Sequence, residues 1–382
     1  MSNNPLRVQV VGPAYLDRVL RVDRRLADPP LDASVNGSLE RAAHAGPLVF
    51  VDPTGASLTI ELPANWPGPH GQIVLSRPLA PAGSRLLTET AQGLAWNEDL
   101  GGMGAGYAAA FGGYLTFAFS ADLTGARIAK LLLTARMRLI KVVMRETPSD
   151  WTLVVSSGPH GDKLPVGFRS PAHAPLDAYS DREQPAAGPD EGRFNLGMPA
   201  CDLLVVASGT NALAAHVLKA PRAWVRMFAP SLRNMLDTDP PVASFVDDID
   251  ILACNRREWE TLPEADRACV ESRVWLLSVT DGASGAEVGF RDRAGALARV
   301  RVPAFPRDRP PVDTNRAGEA FASTLVKTLL EPGSRQRPLQ AAEVDHAARR
   351  ASAAAALVLD IEHFGFPTDT DIDAALARGR VE

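Results

Sequence analysis

Cysteine is scarce in this chain. Cys201, Cys254 and Cys269 are the three present among 382 residues, too few and too scattered for a disulfide framework, and no pair has the C-x-x-C spacing of a zinc or redox site. Long apolar runs are missing as well. None reaches the length that crosses a bilayer, so no membrane partner is expected. Positive charge is not in excess either: 40 Lys and Arg against 45 Asp and Glu leave a formal net charge of -5. That balance lacks the basic footprint by which proteins hold nucleic acid. The seven histidines show no metal-ligand spacing. Residues 1–5 are short and polar and run straight into Leu6-Arg7-Val8-Gln9-Val10-Val11, without the charged-then-apolar pattern of a secretory leader. A cytoplasmic, reduced protein is the expectation.

What is present is a large apolar fraction, 46% of the residues, enough for one large core or two modest ones in a chain of this length. A first strand is read at 8–11; it ends at Gly12-Pro13 and is followed by an irregular acidic and basic stretch containing Asp17. Between 33 and 90 the pattern changes to short β-prone runs at 48–51, 58–62 and 73–75, punctuated by Pro and Gly. This reads as a small sheet inserted after the first strand. Gly101-Gly102-Met103-Gly104-Ala105-Gly106 then opens a small-residue helix, and a strand at 115–119 follows. The runs 140–144 and 151–155 form a second β-rich pair, read as extending the inserted sheet within 139–170. Residues 173–193 read as a loop. Strands at 203–206, 223–227, 249–252 and 274–279, mostly separated by helix-length segments, argue for a mainly parallel sheet covered on both faces. The Ala-rich tract 351–359 fits a packed helix. The expected organisation is a single α/β domain over 1–382 with 33–90 as an inserted β lid.

Ligands on an open parallel sheet bind outside the carboxyl ends of its strands, so the loops there hold any chemistry. The stretch Asp313-Thr314-Asn315-Arg316-Ala317-Gly318-Glu319-Ala320-Phe321 leads into a helix whose Ala317, Phe321, Leu325 and Leu329 share one face. Small residues at Ala317 and Gly318 let a phosphate approach free N–H groups at a positive helix end. The same features also have plainer origins. A Gly near a helix start serves turn geometry, and Glu319 in a first turn is favourable in any helix. Asn255 with Glu258 three residues later is an ordinary capping pair, Asp281-Gly282 is a frequent turn, and Cys254 fits a buried small residue better than a nucleophile.

The order of these segments carries more than any one of them. Val10-Val11-Gly12-Pro13-Ala14-Tyr15-Leu16-Asp17 is similar to an opening strand with its substrate-binding Asp. Asp99-Leu100-Gly101-Gly102-Met103-Gly104-Ala105-Gly106 is similar to a signature usually written G-G-K-G-A-N, and Phe117-Ala118-Phe119-Ser120-Ala121-Asp122-Leu123-Thr124-Gly125 to a strand and G-D-D-x-x-G turn. Asn255-Arg256-Arg257-Glu258 matches N-x-x-E, Val279-Thr280-Asp281-Gly282-Ala283-Ser284-Gly285-Ala286 is similar to T-x-G-x-x-G, and 313–321 stands where D-T-T-G-A-G-D-A-F is expected. Together, from residue 8 to about 376, the chain resembles the PfkB, or ribokinase-like, family of sugar and nucleoside kinases.

The resemblance implies a three-layer α/β/α Rossmann-like ribokinase fold with a small β-sheet lid, which in relatives often forms a homodimer interface. It implies ATP and Mg2+, with transfer of the γ-phosphoryl group to a hydroxyl of a small sugar, polyol or nucleoside. Asp17, Gly101 and Gly102 fall on acceptor-binding positions; Asn255, Thr280, Gly282 and Gly285 on nucleotide positions; and Glu258 on the position associated with magnesium. The anion pocket and base fall on Arg316, Ala317, Gly318 and Glu319.

Two residues depart from the pattern there. Glu319 replaces an Asp and reaches one methylene farther, and a misplacement of about 1 Å can cost roughly a hundredfold in rate. Arg316 replaces a Gly, whose backbone freedom an Arg lacks. Its guanidinium is read in two ways: as an ion-pair partner of Glu319 that fills the anion site, or as a charged partner for phosphate oxygens. Met103 and Gly106 replace a Lys and an Asn. A working divergent kinase and a catalytically silent relative that binds a ligand or a protein partner are both consistent with these changes.

Overall fold

The computed structural model describes residues 6–21, 48–51, 57–60, 73–75, 96–145, 149, 151–157, 162–168, 200–219, 223–312, 315–330 and 336–378. In chain order the strands are β1 (Val8–Val11), β2 (Tyr15–Arg21), β3 (Leu48–Val51), β4 (Ser57–Ile60), β5 (Ile73–Leu75), β6 (Trp96–Gly101), β7 (Tyr114–Ser120), β8 (Arg138–Arg145), β9 (Trp151–Ser157) and β10 (Asp162–Phe168). They continue as β11 (Cys201–Ala207), β12 (Ala223–Ala229), β13 (Ile251–Asn255), β14 (Leu276–Thr280), β15 (Ala286–Arg291) and β16 (Leu297–Val302). The helices are α1 (Met103–Phe111), α2 (Leu123–Thr134), α3 (Asn211–Leu218), α4 (Leu232–Leu236), α5 (Arg256–Thr261), α6 (Glu264–Arg273), α7 (Ala317–Leu329), α8 (Ala341–Val358) and α9 (Asp369–Arg378).

Among the described residues, nine strands form one sheet in the order β16-β15-β14-β13-β12-β11-β1-β7-β8. From β8 to β14 every neighbouring pair is parallel, and β15 and β16 are added antiparallel at one edge. All four residues of β1 and all seven of β11 are buried, as expected of central parallel strands with helices on both faces. Alternate residues serve opposite faces. Val10, Leu203 and Val205 belong to a core shared with α1, α2, α7 and α8, whereas Val11, Leu204 and Val206 belong to one shared with α3 to α6. Ala347, Ala348, Ala351, Ala353 and Ala354 are fully buried in α8, so the Ala-rich tract is a close-packed helix that starts ten residues earlier than its richest part suggests.

A second sheet has the order β5-β10-β9-β2-β6, and β3 pairs with β4 in a separate two-stranded sheet. Three sequence expectations change here. The stretch containing Asp17 is regular: β2 runs antiparallel to β6 and parallel to β9. The run 140–144 lies in β8, the edge strand of the large sheet, while 151–155 lies in β9 of the small one, so the pair is divided between sheets. The runs 48–51 and 57–60 pair with each other and not with the second sheet, which 73–75 joins through β10. The segment read as a loop at 173–193 lies outside the described residues, as does most of 33–90.

Candidate active site

Strand order reverses at β1, since the chain proceeds to β7 and β8 on one side and to β11 through β14 on the other. The crevice outside the carboxyl end of such a strand is where α/β sheets take ligands. At that end, Gly12 and Gly104 let α1 rest directly on the strand. A Cβ on Gly104 would lie 2.4 Å from the Gly12 carbonyl carbon, and one on Gly12 would lie 2.5 Å from the Ala207 oxygen.

The antiparallel register of β2 and β6 sets Tyr15 opposite Gly101 and Asp17 opposite Asp99. Asp17 lies over the bare backbone of Gly101, where a Cβ would come within 2.1 Å of its Cγ. Gly102, with φ at 93°, forms the N-cap of α1. Its missing side chain also matters, because a Cβ would meet the Pro13 oxygen at 2.5 Å. Asp99 accepts the Leu100 N–H at 2.8 Å.

Next to β6, Arg316 is the N-cap of α7 in the left-handed conformation, φ 70° and ψ -2°, so it holds the backbone angles that a Gly would hold there. Its side chain is buried. One guanidinium nitrogen lies 3.5 Å from Asp99 Oδ2, another donates to the Ile361 carbonyl at 3.3 Å, and the group sits 5.8 Å over the Phe364 ring. It is therefore directed to β6 and to the segment after α8. Gly318 is exposed, and nothing lies within 4 Å of a Cβ built on it, so the first turn of α7 has an open face. Asp313 and Thr314 lie outside the described residues.

Glu319, in that same turn, is seated against α1: a Cβ on Gly106 would be 3.1 Å from its Cγ and 3.2 Å from its Oε1. Its charge reaches two neighbours. Burial pushes the Tyr107 phenol well up, and the Glu319 and Glu258 carboxylates add to this. Burial also pushes the Glu258 carboxyl up to about 7; the Asn255 N–H opposes the shift and the Glu319 charge reinforces it.

Asn255 and Glu258 form the capping arrangement expected of N-x-x-E. Asn255 Oδ1 accepts the Glu258 N–H at 2.8 Å, and Glu258 Oε2 accepts the Asn255 N–H at 2.9 Å. Thr280 stands beside Asn255 in the β13–β14 register and leads into a 3-10 turn, Gly282–Ser284. Gly285 closes that turn with φ at 91°, and a Cβ on it would meet the Val302 oxygen at 2.1 Å.

Of the positions read from sequence, Gly101, Asn255 and Thr280 end β6, β13 and β14, Ala317 to Glu319 open α7, and Asp17 lies in the first half of β2. Sequence reasoning left four participants without a role. Asp99 and Tyr107 carried a signal, since Asp99 stands two residues before the glycine segment 101–106 and Tyr107 directly after it. Arg256, 3.9 Å from Asp281 on the turn after β14, follows Asn255 directly. Phe364 gave none, because its place beside Arg316 depends on how α8 ends. Among the described residues there is no group of three or more His, Cys, Asp or Glu side chains placed to hold a metal, and no helix is long and apolar enough to cross a membrane.

No protein-family model and no curated protein matches the chain in sequence. Solved structures do match it. A nucleoside kinase from Methanocaldococcus jannaschii aligns over 98% of this chain and 100% of its own, with a TM-score of 0.61 and 13% identity. Ribokinase from Arabidopsis thaliana, solved with ribose and ATP, aligns over 98% and 99%, with a TM-score of 0.55 and 14% identity. The Burkholderia thailandensis nucleoside kinase in complex with ADP-inosine aligns over 98% and 96%, with a TM-score of 0.58 and 16% identity. This is the ribokinase fold. The large, mainly parallel sheet with its flanking helices matches that fold, and the smaller sheet is present beside it.

Proposed function

We propose that this chain is a divergent PfkB-type kinase that transfers the γ-phosphoryl group of ATP to a hydroxyl of a small sugar, polyol or nucleoside. The observation that carries this reading is the direction of Arg316. Its guanidinium is engaged with Asp99 and the Ile361 carbonyl, and nothing lies within 4 Å of a Cβ built on Gly318, which supports an anion site at this helix end. The solved structures with ribose and ATP, and with ADP-inosine, support the substrate classes.

In the reaction, Asp17 holds acceptor hydroxyls above Gly101 and Gly102. Glu319 takes the proton of the attacking hydroxyl as its oxygen bonds to the γ-phosphorus. The bond from that phosphorus to the β–γ bridging oxygen breaks, and ADP leaves with the electron pair. Charge on the phosphoryl oxygens faces the first-turn amides of Ala317, Gly318 and Glu319. The nucleotide lies along Thr280, Gly282 and Gly285 beside Asn255. Mg2+ commonly takes one or two carboxylates together with substrate phosphates. Glu258, whose neutral form is favoured by burial and by the nearby Glu319, fits a cation that would relieve both. When bound, the ion would neutralise phosphate charge, with Glu258 and Asn255 holding it.

The test is a screen of sugars, polyols and nucleosides with ATP and Mg2+. Turnover that falls by about 10²–10⁴-fold in Glu319→Ala is expected of a general base. No turnover above that variant for any acceptor, together with no Mg-ATP binding by calorimetry, would instead identify a silent relative.

A further inference from the structure

A glycine inside a helix is unfavourable relative to alanine, because it loses more backbone freedom on folding. Helix α1 nevertheless carries two of them, among alanines at 105, 108, 109 and 110. Gly104 has its reason in the backbone of Gly12, as described. Gly106 has a different one. It lies within the helical hydrogen-bonding pattern, donating its N–H to Gly102 at 3.0 Å, and no turn requires it. What a side chain would meet there is Glu319, with Cγ at 3.1 Å, Oε1 at 3.2 Å and Cδ at 3.5 Å.

We propose that Gly106 is a positioning residue for Glu319: the bare helix surface seats the extra methylene of a glutamate, so that Gly106 and Glu319 form a matched pair. A Cβ at 106 pushes the flexible carboxylate aside and not the backbone, because the atoms it meets are the far end of a side chain. The helix accepts the glycine in exchange for the placement of that carboxylate against its surface.

Two experiments test the pair, and the first does not depend on catalysis. In a thermal-unfolding cycle, Gly106→Ala is made in the parent chain and in Glu319→Ala. With Glu319 truncated, the alanine gains its helix preference and Tm rises by about 1–2 °C; in the parent the rise is absent or reversed. Equal rises in both backgrounds overturn the pairing. The second experiment rests on the kinase reading. Gly106→Ala lowers kcat by about 10–100-fold with little change in KM for ATP, and adding Glu319→Asp, one methylene shorter, restores much of it. A double variant no better than Gly106→Ala alone overturns the positioning role. If neither the parent nor any variant turns over an acceptor, the kinase reading fails, and the unfolding cycle still decides the pair.

Discussion

Arg316 holds a left-handed backbone conformation that costs an ordinary residue roughly 1–2 kcal/mol, and its buried guanidinium reaches Asp99. Replacement therefore has two opposed parts. Arg316→Ala loses the guanidinium and keeps the strain; Arg316→Gly loses the guanidinium and relieves the strain. The glycine variant should be more stable than the alanine variant by about 1 kcal/mol, read as urea midpoints, and equal midpoints would contradict the strain. Glu258 makes a pH prediction. Its folded pKa is raised from 4.5 to about 7, so the fold favours the protonated carboxyl. The folded state then binds more protons than the unfolded chain between these values, and stability falls as pH rises through that window. Measured without nucleotide or metal, Tm of the parent should decline relative to Glu258→Gln from pH 5 to 7.5 and hold level above it. A constant difference across that range would argue against the shift. At this scale the sequence exposed the departures at Arg316 and Glu319 but not their settlement. It offered an Arg316–Glu319 pairing from spacing alone, whereas Arg316 is seated by Asp99 far back in the chain and by Ile361 and Phe364 well after it.

Among the elements, α2 shows how a motif can serve the fold. Asp122 Oδ1 accepts the Gly125 N–H at 2.6 Å and so caps the helix, while Oδ2 accepts the Ser149 N–H at 2.8 Å. Ser149 Oγ in turn accepts the Ser120 N–H at 3.0 Å. The one carboxylate thus fastens the end of β7 and the start of α2 to the chain entering β9. Asp122→Ala should cost about 1–2 kcal/mol, and Asp122→Asn, which keeps an acceptor for the cap, less; denaturant titration separates them. Gly101→Ala makes a different demand, because its Cβ would fall within 2.1 Å of the Asp17 carboxylate. On the kinase reading, Gly101→Ala should raise the acceptor KM at least tenfold, a loss of about 1.4 kcal/mol of binding, with KM for ATP little changed. An unaltered acceptor KM would remove Asp17 from the pocket. Strands that are buried on both faces, such as β11, were legible as apolar runs. The strand β2 was not, since Asp17, Arg18 and Arg21 interrupt it and it is held by β6 and β9 from far along the chain.

For the whole molecule, a ligand that binds the folded state alone raises stability in proportion to its occupancy. A nonhydrolysable ATP analogue with Mg2+ at a hundred times its Kd should add about 2.7 kcal/mol, seen as a rise in Tm that is lost when the Thr280 to Gly285 turn is disrupted by Gly285→Val. No rise at any concentration would remove the nucleotide from the proposal. The sequence by itself determined the alternating α/β plan, the parallel core and the order of six glycine- and acid-bearing segments, because strand periodicity, helix caps and tight turns are local and leave their mark in consecutive residues. It did not determine which sheet each β-prone run joins: 140–144 went to the large sheet and 151–155 to the small one, although both are similarly apolar. Nor did it decide where Arg316 points or why position 106 lacks a side chain. Those outcomes depend on contacts between α1, β6, α7 and the end of α8, and such contacts exist only once the two sheets have been packed together.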